Sequence, residues 1–378
     1  MKIVADENMP NVEALFGGMA DEIVRLPGRT MSRQDLMDAD VLLVRSVTRV
    51  DRDLLDGTNV SFVGSATIGT DHVDQDYLNS RNIPFHHSPG CNADSVVDYV
   101  LAAVLAVKPA DVAVAELSFG VVGCGNVGGR LALRLQAMGL DVVKNDPPLA
   151  AQQRGDFVAL EEITRCDVIC LHTPLTKGGS HPTWHLFDET IINALKPGTI
   201  LINAGRGAVI NESALLARMQ LHKDLHLVLD VWETEPQVSP ELLALTEIST
   251  PHIAGYSLDG KLRGSWMLYR ALCEHLGLPY QPEQPSTLQL PEPIMLANEV
   301  DKENALTSCV SRVYDIHVDS DAMRKSMNEA NIAVWAIEFD GLRKCYPIRR
   351  EFSNLKVIGA TSEILTWLAA AGFDCQSC

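Results

Sequence analysis

At 378 residues the chain exceeds what one hydrophobic core comfortably supports, so two or three domains are expected. Apolar residues at 46% against 21% charged exclude a disordered or fibrous chain, and a net charge of −18 excludes sequence-independent binding to nucleic acid or an acidic membrane. No apolar run approaches the ~20 residues of a membrane span, and residues 1–10 carry acids where a signal sequence would be apolar. The nine cysteines are scattered, so a cytoplasmic protein with reduced thiols and no metal is expected.

In chain order, residues 2–5, 41–44 and 60–63 are short apolar runs of the kind buried in parallel sheets, and they predict a small α/β domain. Asn92 is placed to cap a helix with apolar residues at Val96, Val97, Val100, Leu101, Val104 and Leu105; it ends at Lys108-Pro109 and is expected to cross between domains. Six strand candidates follow, at 119–123, 141–145, 168–171, 199–203, 226–230 and 248–250, with helical stretches between them. That alternation predicts a doubly wound parallel sheet. Residues 259–277 form one amphipathic helix, after which Pro279, Pro282, Pro285, Pro291 and Pro293 mark a domain boundary. Residues 294–378 resume with a strand at 355–358 and a helix at 362–371 but carry no catalytic motif, so they are expected to be an assembly surface. Cys375 and Cys378 have redox spacing at an end expected to fray, and His222 and His226 lack a third metal ligand nearby.

Gly123-Cys124-Gly125-Asn126-Val127-Gly128 falls between the strand at 119–122 and the helix at 130–138, where backbone N–H groups at a helix start can meet a pyrophosphate. Cys124 is read as a small filler between the glycines. Asp146 closes the next strand, where a carboxylate accepts from the ribose hydroxyls of NAD. Further on, Arg206 lies between glycines after one strand, Glu235 follows the strand ending at Asp230, and His252 follows the last. These groups converge on the sheet edge where open α/β sheets bind ligands. An arginine there can fork onto a carboxylate, and a histidine can exchange the proton of an alcohol near neutral pH.

On the segments 203–211, 230–236 and 250–255, in this order and with the glycine motif, the chain resembles the D-isomer-specific 2-hydroxyacid dehydrogenases over residues 1–280. The resemblance implies a Rossmann NAD domain at 98–253, a flavodoxin-like substrate or lid domain at 1–97 plus 254–280, and a C-terminal α/β dimerisation domain at 281–378 forming a homodimer. It also implies roles for the convergent groups. Arg206 binds the substrate carboxylate and polarises the carbonyl, His252 is the acid/base, and Glu235 pairs with His252. Thr173, Pro174, Ala204, Asp230 and Gly255 join Gly123, Gly125, Asn126, Val127, Gly128 and Asp146 around NAD.

Residues 6–10, 44–48, 89–92, 146–148 and 255–258 resemble one branch of the family, which oxidises 4-phospho-D-erythronate to the 2-oxo acid for vitamin B6 synthesis. This implies that Ser46, Thr67 and Tyr256 touch substrate. A substrate with both carboxylate and phosphate needs a second cation besides Arg206, and Arg45 is one candidate. The doublet Arg349-Arg350 is another, provided that the tail pairs two subunits and the doublet reaches the partner's cleft. The alternatives are a dehydrogenase for 3-phosphoglycerate or glycerate, and an NAD-sensing corepressor on the same fold.

Overall fold

The computed structural model describes residues 1–280 and 290–375, so Cys378 lies outside the described residues. The chain divides into two compact units, one of residues 1–92 with 257–280, the other of residues 93–256 with 290–375.

The first unit carries a parallel sheet of five strands in the order Glu22–Leu26, Lys2–Asp6, Val41–Val44, Phe62–Ser65 and Phe85–His87. With strands numbered along the chain this is the order 2-1-3-4-5, the flavodoxin-like winding that the resemblance implied. Val41–Val44 is apolar at every position because both faces of the sheet are covered. The helix Leu258–Leu276 returns to this unit; the Ser257 hydroxyl caps its start and Gly277, at φ 67, ends it in the left-handed region. Leu268 and Leu272 enter the core with Phe16 and Phe62, each contributing roughly 2 kcal/mol by leaving water.

The second unit carries six parallel strands in the order Ile248–Ser249, His226–Leu229, Ile200–Asn203, Val168–Leu171, Ser118–Val122 and Asp141–Asn145. The winding reverses beside Ser118–Val122, and at such a switch point open sheets leave room for a ligand beyond the strand ends. The helix Ala93–Val107 packs within this unit, with most of its length buried. Asp98, inside that helix, bonds Arg134 at 2.7 Å and accepts from the Phe352 N–H at 2.8 Å.

The tail has its own three-stranded parallel sheet, in the order Ile294–Leu296, Lys356–Gly359 and Asp374–Cys375. Its apolar residues nevertheless join the cores of the six-stranded domain: Leu306, Val357 and Leu368 cluster with Val100 and Leu131, and Met323 and Phe339 with Leu215 and Leu227. The Trp367 indole donates to the Met138 carbonyl at 2.9 Å.

Several expectations need correction. Residues 93–97 and 254–256 belong with the second unit rather than the first, so the helix Ala93–Val107 is a core element of one unit. The strand expected at 60–63 runs from Phe62 to Ser65 instead. The strands Glu22–Leu26 and Phe85–His87 escaped notice because both lie at sheet edges, where charged and polar residues interrupt the apolar run.

Candidate functional site

Within the second unit the glycine motif forms a cradle that side chains would fill. Gly123 sits at φ 83, and a Cβ there would come within 2.8 Å of the Thr173 backbone nitrogen. A Cβ on Gly128 would lie 1.9 Å from the Gly123 carbonyl oxygen, so the helix Asn126–Ala137 can dock on the preceding turn only with glycine here. Gly125 faces open space, with nothing within 4 Å of its Cβ position. No side chain caps this helix, which leaves its first N–H groups available to an anion.

Asp146 fixes the neighbouring turn. One carboxylate oxygen accepts from the Cys124 N–H at 2.8 Å, and the other caps the helix Pro147–Ala151 through the Leu149 N–H at 3.0 Å. Beside it an open hollow of about 440 Å³ is lined by Pro148, Gln152, Thr176 and His181. The buried Thr173 hydroxyl has no partner among the described residues. An open glycine, unshared helix N–H groups and an orphaned hydroxyl around a carboxylate suit a dinucleotide. An NAD preference is therefore expected, with kcat/KM for NADP lower by about 100-fold or more, because the 2′-phosphate would meet Asp146 with like charge. Equal efficiencies with the two cofactors would contradict that placement.

Both ring nitrogens of His172 are also buried with no partner among the described residues, although part of the residue reaches the surface. The nitrogens carry the charge, so their burial decides, and it depresses the imidazole from 6.5 to about 4. A depressed folded-state value means that His172 contributes stability above pH 6.5 and that this is lost as pH falls from 6.5 towards 4. Denaturant titrations should show a loss of up to about 1.4 kcal/mol per pH unit across that window. A His172→Leu variant should remove that component, and an equal slope in the variant would exclude His172 as its source.

The catalytic candidates occupy three adjacent strand ends. Arg206 follows Ile200–Asn203 and donates to the Gly205 carbonyl at 2.9 Å, while the Asn203 amide donates to the Arg206 carbonyl at 3.0 Å. Gly207 lets this loop press on the next one: a Cβ would lie 2.0 Å from the Trp232 carbonyl carbon and oxygen. His252 adopts the left-handed φ of 57 and donates its N–H to the Asp230 carbonyl at 2.7 Å. Its Nδ1 lies 2.6 Å from Glu235 Oε1, and the Trp232 N–H donates to Oε2 at 3.2 Å.

Burial works to raise the Glu235 carboxyl, but the His252 imidazole, the hydrogen bonds from His252 and Trp232, and the charge of Arg343 together hold it below its usual value. An ionised carboxylate only accepts, so Nδ1 carries the proton and Nε2 is left to exchange one with a substrate.

Asp230, expected around the cofactor, is 1% exposed. Its carboxylate accepts from Ile253 N–H at 2.7 Å, Ala254 N–H at 3.0 Å and the Thr250 hydroxyl at 2.7 Å, shaping the loop that carries His252. Ala204 and Gly255, partly exposed, stand at the same edge, and the exposed Pro174 follows Thr173. In the first unit, Arg45 and Ser46 directly follow Val41–Val44, and Thr67 lies just beyond the paired strand Phe62–Ser65. The Thr67 hydroxyl donates to the Gly69 carbonyl and bonds Ser65 Oγ, both at 2.7 Å.

Of the Arg349-Arg350 doublet, Arg349 lies inside its own subunit. Arg349 is 5% exposed, donates to the Ala254 and Ser95 carbonyls and lies over the Tyr314 ring, so it cannot reach a partner's cleft without unpacking its own core. Arg350 donates to Asn354 Oδ1 at 2.6 Å. The arginine that sequence reasoning missed is Arg343, on the tail helix Trp335–Lys344. Its side chain is 12% exposed, its Nε is buried without a partner, and its guanidinium lies 5.7 Å from the Tyr256 ring centre. Nothing in its local sequence marks it, because only long-range packing brings the tail to Glu235 and Tyr256.

Residues 107–254 match the family described as D-isomer specific 2-hydroxyacid dehydrogenase, NAD binding domain, and residues 290–372 match a domain of unknown function (DUF3410). A relative from Cellvibrio japonicus, named erythronate-4-phosphate dehydrogenase, is 46% identical over 99% of this chain and 100% of its own. One of the same name from Pseudomonas syringae pv. syringae is 48% identical over 98% of each. Among solved structures, D-lactate dehydrogenase from Aquifex aeolicus complexed with NAD and lactic acid superposes with a TM-score of 0.60 at 22% identity. NAD-bound 3-phosphoglycerate dehydrogenase from Entamoeba histolytica superposes at 0.63 and 23%. Each of these structures covers 73% of this chain but 95% of its own, so a share of this chain about as long as the tail has no counterpart there.

Proposed function

Because the chain belongs to the erythronate-4-phosphate dehydrogenase family, within the NAD-dependent D-isomer-specific 2-hydroxyacid dehydrogenases, we propose that it oxidises 4-phospho-D-erythronate to the 2-oxo acid in vitamin B6 synthesis. The observation that carries this reading is the His252–Glu235 pair, 2.6 Å apart, on strand ends adjoining Arg206 in a chain whose relatives of that name match it end to end.

Bound NAD supplies the hydride acceptor. Arg206 forks onto the substrate carboxylate and polarises the C2 oxygen, which orients the C2–H bond. His252 Nε2 takes the hydroxyl proton as the hydride leaves C2, and Glu235 stabilises the resulting imidazolium. The proton then passes from His252 to solvent.

Gly123, Gly125, Asn126, Val127, Gly128, Asp146, Thr173, Pro174, Ala204, Asp230 and Gly255 serve the cofactor. Ser46, Thr67 and Tyr256 hold substrate, with Arg45 the candidate for its phosphate. A homodimer fits the exposed Met295, Val318, Ile332, Ile337 and Ile348 of the tail, apolar side chains that a second copy would cover. Among the described residues no helix is long and apolar enough to cross a membrane.

NADH absorbance with 4-phosphoerythronate, erythronate, 3-phosphoglycerate and D-lactate tests the reading. Highest kcat/KM with 4-phosphoerythronate is expected. Preference for 3-phosphoglycerate would move the enzyme to another branch, and no turnover with any hydroxy acid would favour a sensory role.

A further inference from the structure

We propose that Arg349 of the tail is a positioning residue for the His252 loop, making the appended domain part of the catalytic apparatus. The proposal rests on the reading of His252 as the acid/base. Its basis is the set of bonds that fixes the backbone around that residue. Asp230 holds the N–H groups of Ile253 and Ala254. Arg349 Nη2 donates to the carbonyl of Ala254 and reaches the Ser95 carbonyl, in the first turn of helix Ala93–Val107, at 3.3 Å. One guanidinium thereby ties the catalytic loop to a buried helix.

The tail holds that guanidinium firmly. Its Cζ lies 4.4 Å from the centre of the Tyr314 ring, and Tyr314 and Tyr346 both donate to the Asp319 carboxylate, at 2.8 and 2.7 Å. Next to Arg349, the Glu351 carboxylate accepts from the Ser95 hydroxyl at 2.9 Å. The loop needs such support because His252 stands at φ 57, a conformation that a non-glycine residue keeps only where its surroundings over-determine it. A lysine in this place would offer a compact ammonium in place of a planar fork lying on an aromatic face.

Arg349→Met and Arg349→Lys, checked for native melting temperature and circular dichroism, test the proposal. For Arg349→Met, kcat should fall by about 10- to 100-fold with KM for the hydroxy acid within about 3-fold, since a misplaced acid/base costs rate while Arg206 still binds substrate. The solvent isotope effect on kcat should also rise, because a displaced acid/base makes proton transfer more rate-limiting. Arg349→Lys should lose less, about 3- to 10-fold in kcat, because it keeps the charge but not the planar fork. A folded Met variant with wild-type kcat, or a kcat loss without a larger solvent isotope effect, overturns the proposal. If the Met variant does not fold, the Lys variant decides: a fall of about 3-fold or more with unchanged KM and a larger solvent isotope effect supports it, and wild-type kcat overturns it. Amide exchange separates this test from the functional reading. Even without turnover on any hydroxy acid, the Ile253 and Ala254 amides should exchange faster in the variants, and unchanged protection overturns the proposal.

Discussion

Replacing His252 by alanine should lower kcat by about two to four orders of magnitude, the usual contribution of a positioned acid/base, while NAD titrates as in the wild type. The imidazole is held for this role from two directions, its backbone N–H by the Asp230 carbonyl and its Nδ1 by Glu235. The glycine cradle lies in another loop, so removing the ring should leave cofactor affinity within about 3-fold. A variant that keeps most of its turnover would show that another group moves the proton. Loss of NAD binding together with turnover would show instead that the ring supports the fold.

Gly207→Ala should be nearly as damaging without touching any titratable group. The added methyl carbon would lie 2.0 Å from the Trp232 carbonyl and 2.5 Å from the Glu233 nitrogen, backbone atoms that no rotamer change can move aside. Retreat is blocked, because the Glu233 N–H donates to the Glu212 carboxylate at 2.6 Å and the Glu212 N–H returns a bond to Glu233 at 3.1 Å. The collision must therefore push apart the loops that carry Arg206 and Glu235. A loss of about 100-fold or more in kcat/KM is expected, since displacement by about 1 Å costs that much, with about 3 kcal/mol of stability lost by overpacking. Gly125→Ala is the control: its Cβ meets nothing within 4 Å, so stability should hold within about 0.5 kcal/mol while NAD binds more weakly. Native stability and turnover in Gly207→Ala would refute this account of the loop contact.

Both variants concern residues legible in the sequence, because the chemistry sits where local pattern is strongest. Val168–Leu171 and Ile200–Asn203 are continuous apolar strands buried on both faces, and the polar residues after them stand out by contrast. The fold class and the order of Arg206, Glu235 and His252 follow from that contrast. Glu22–Leu26 was hidden because an edge strand tolerates Glu22 and Arg25. The roles of Arg343 and Arg349 were hidden for a different reason. A buried arginine is recognised by what surrounds it, and the surroundings of Arg349 come from Ser95, Ala254 and Tyr314, far apart along the chain. The doublet suggested a phosphate clamp for a partner's cleft because sequence shows the charge of Arg349 but not its burial.

The discontinuity of the first unit bears on how the molecule is made. Its five strands lie within the first 92 residues, yet Leu268 and Leu272, which complete the core around Phe16 and Phe62, are supplied by the helix Leu258–Leu276. At a translation rate of about 5–20 residues per second, roughly ten to thirty seconds pass between synthesis of the last strand and arrival of that helix. During that interval the sheet emerges from the ribosome with one apolar face uncovered, a nascent-chain state that chaperones bind. Ribosome-stalled chains ending before residue 257 should therefore retain a protease-sensitive amino-terminal segment that becomes resistant once the helix has cleared the exit tunnel.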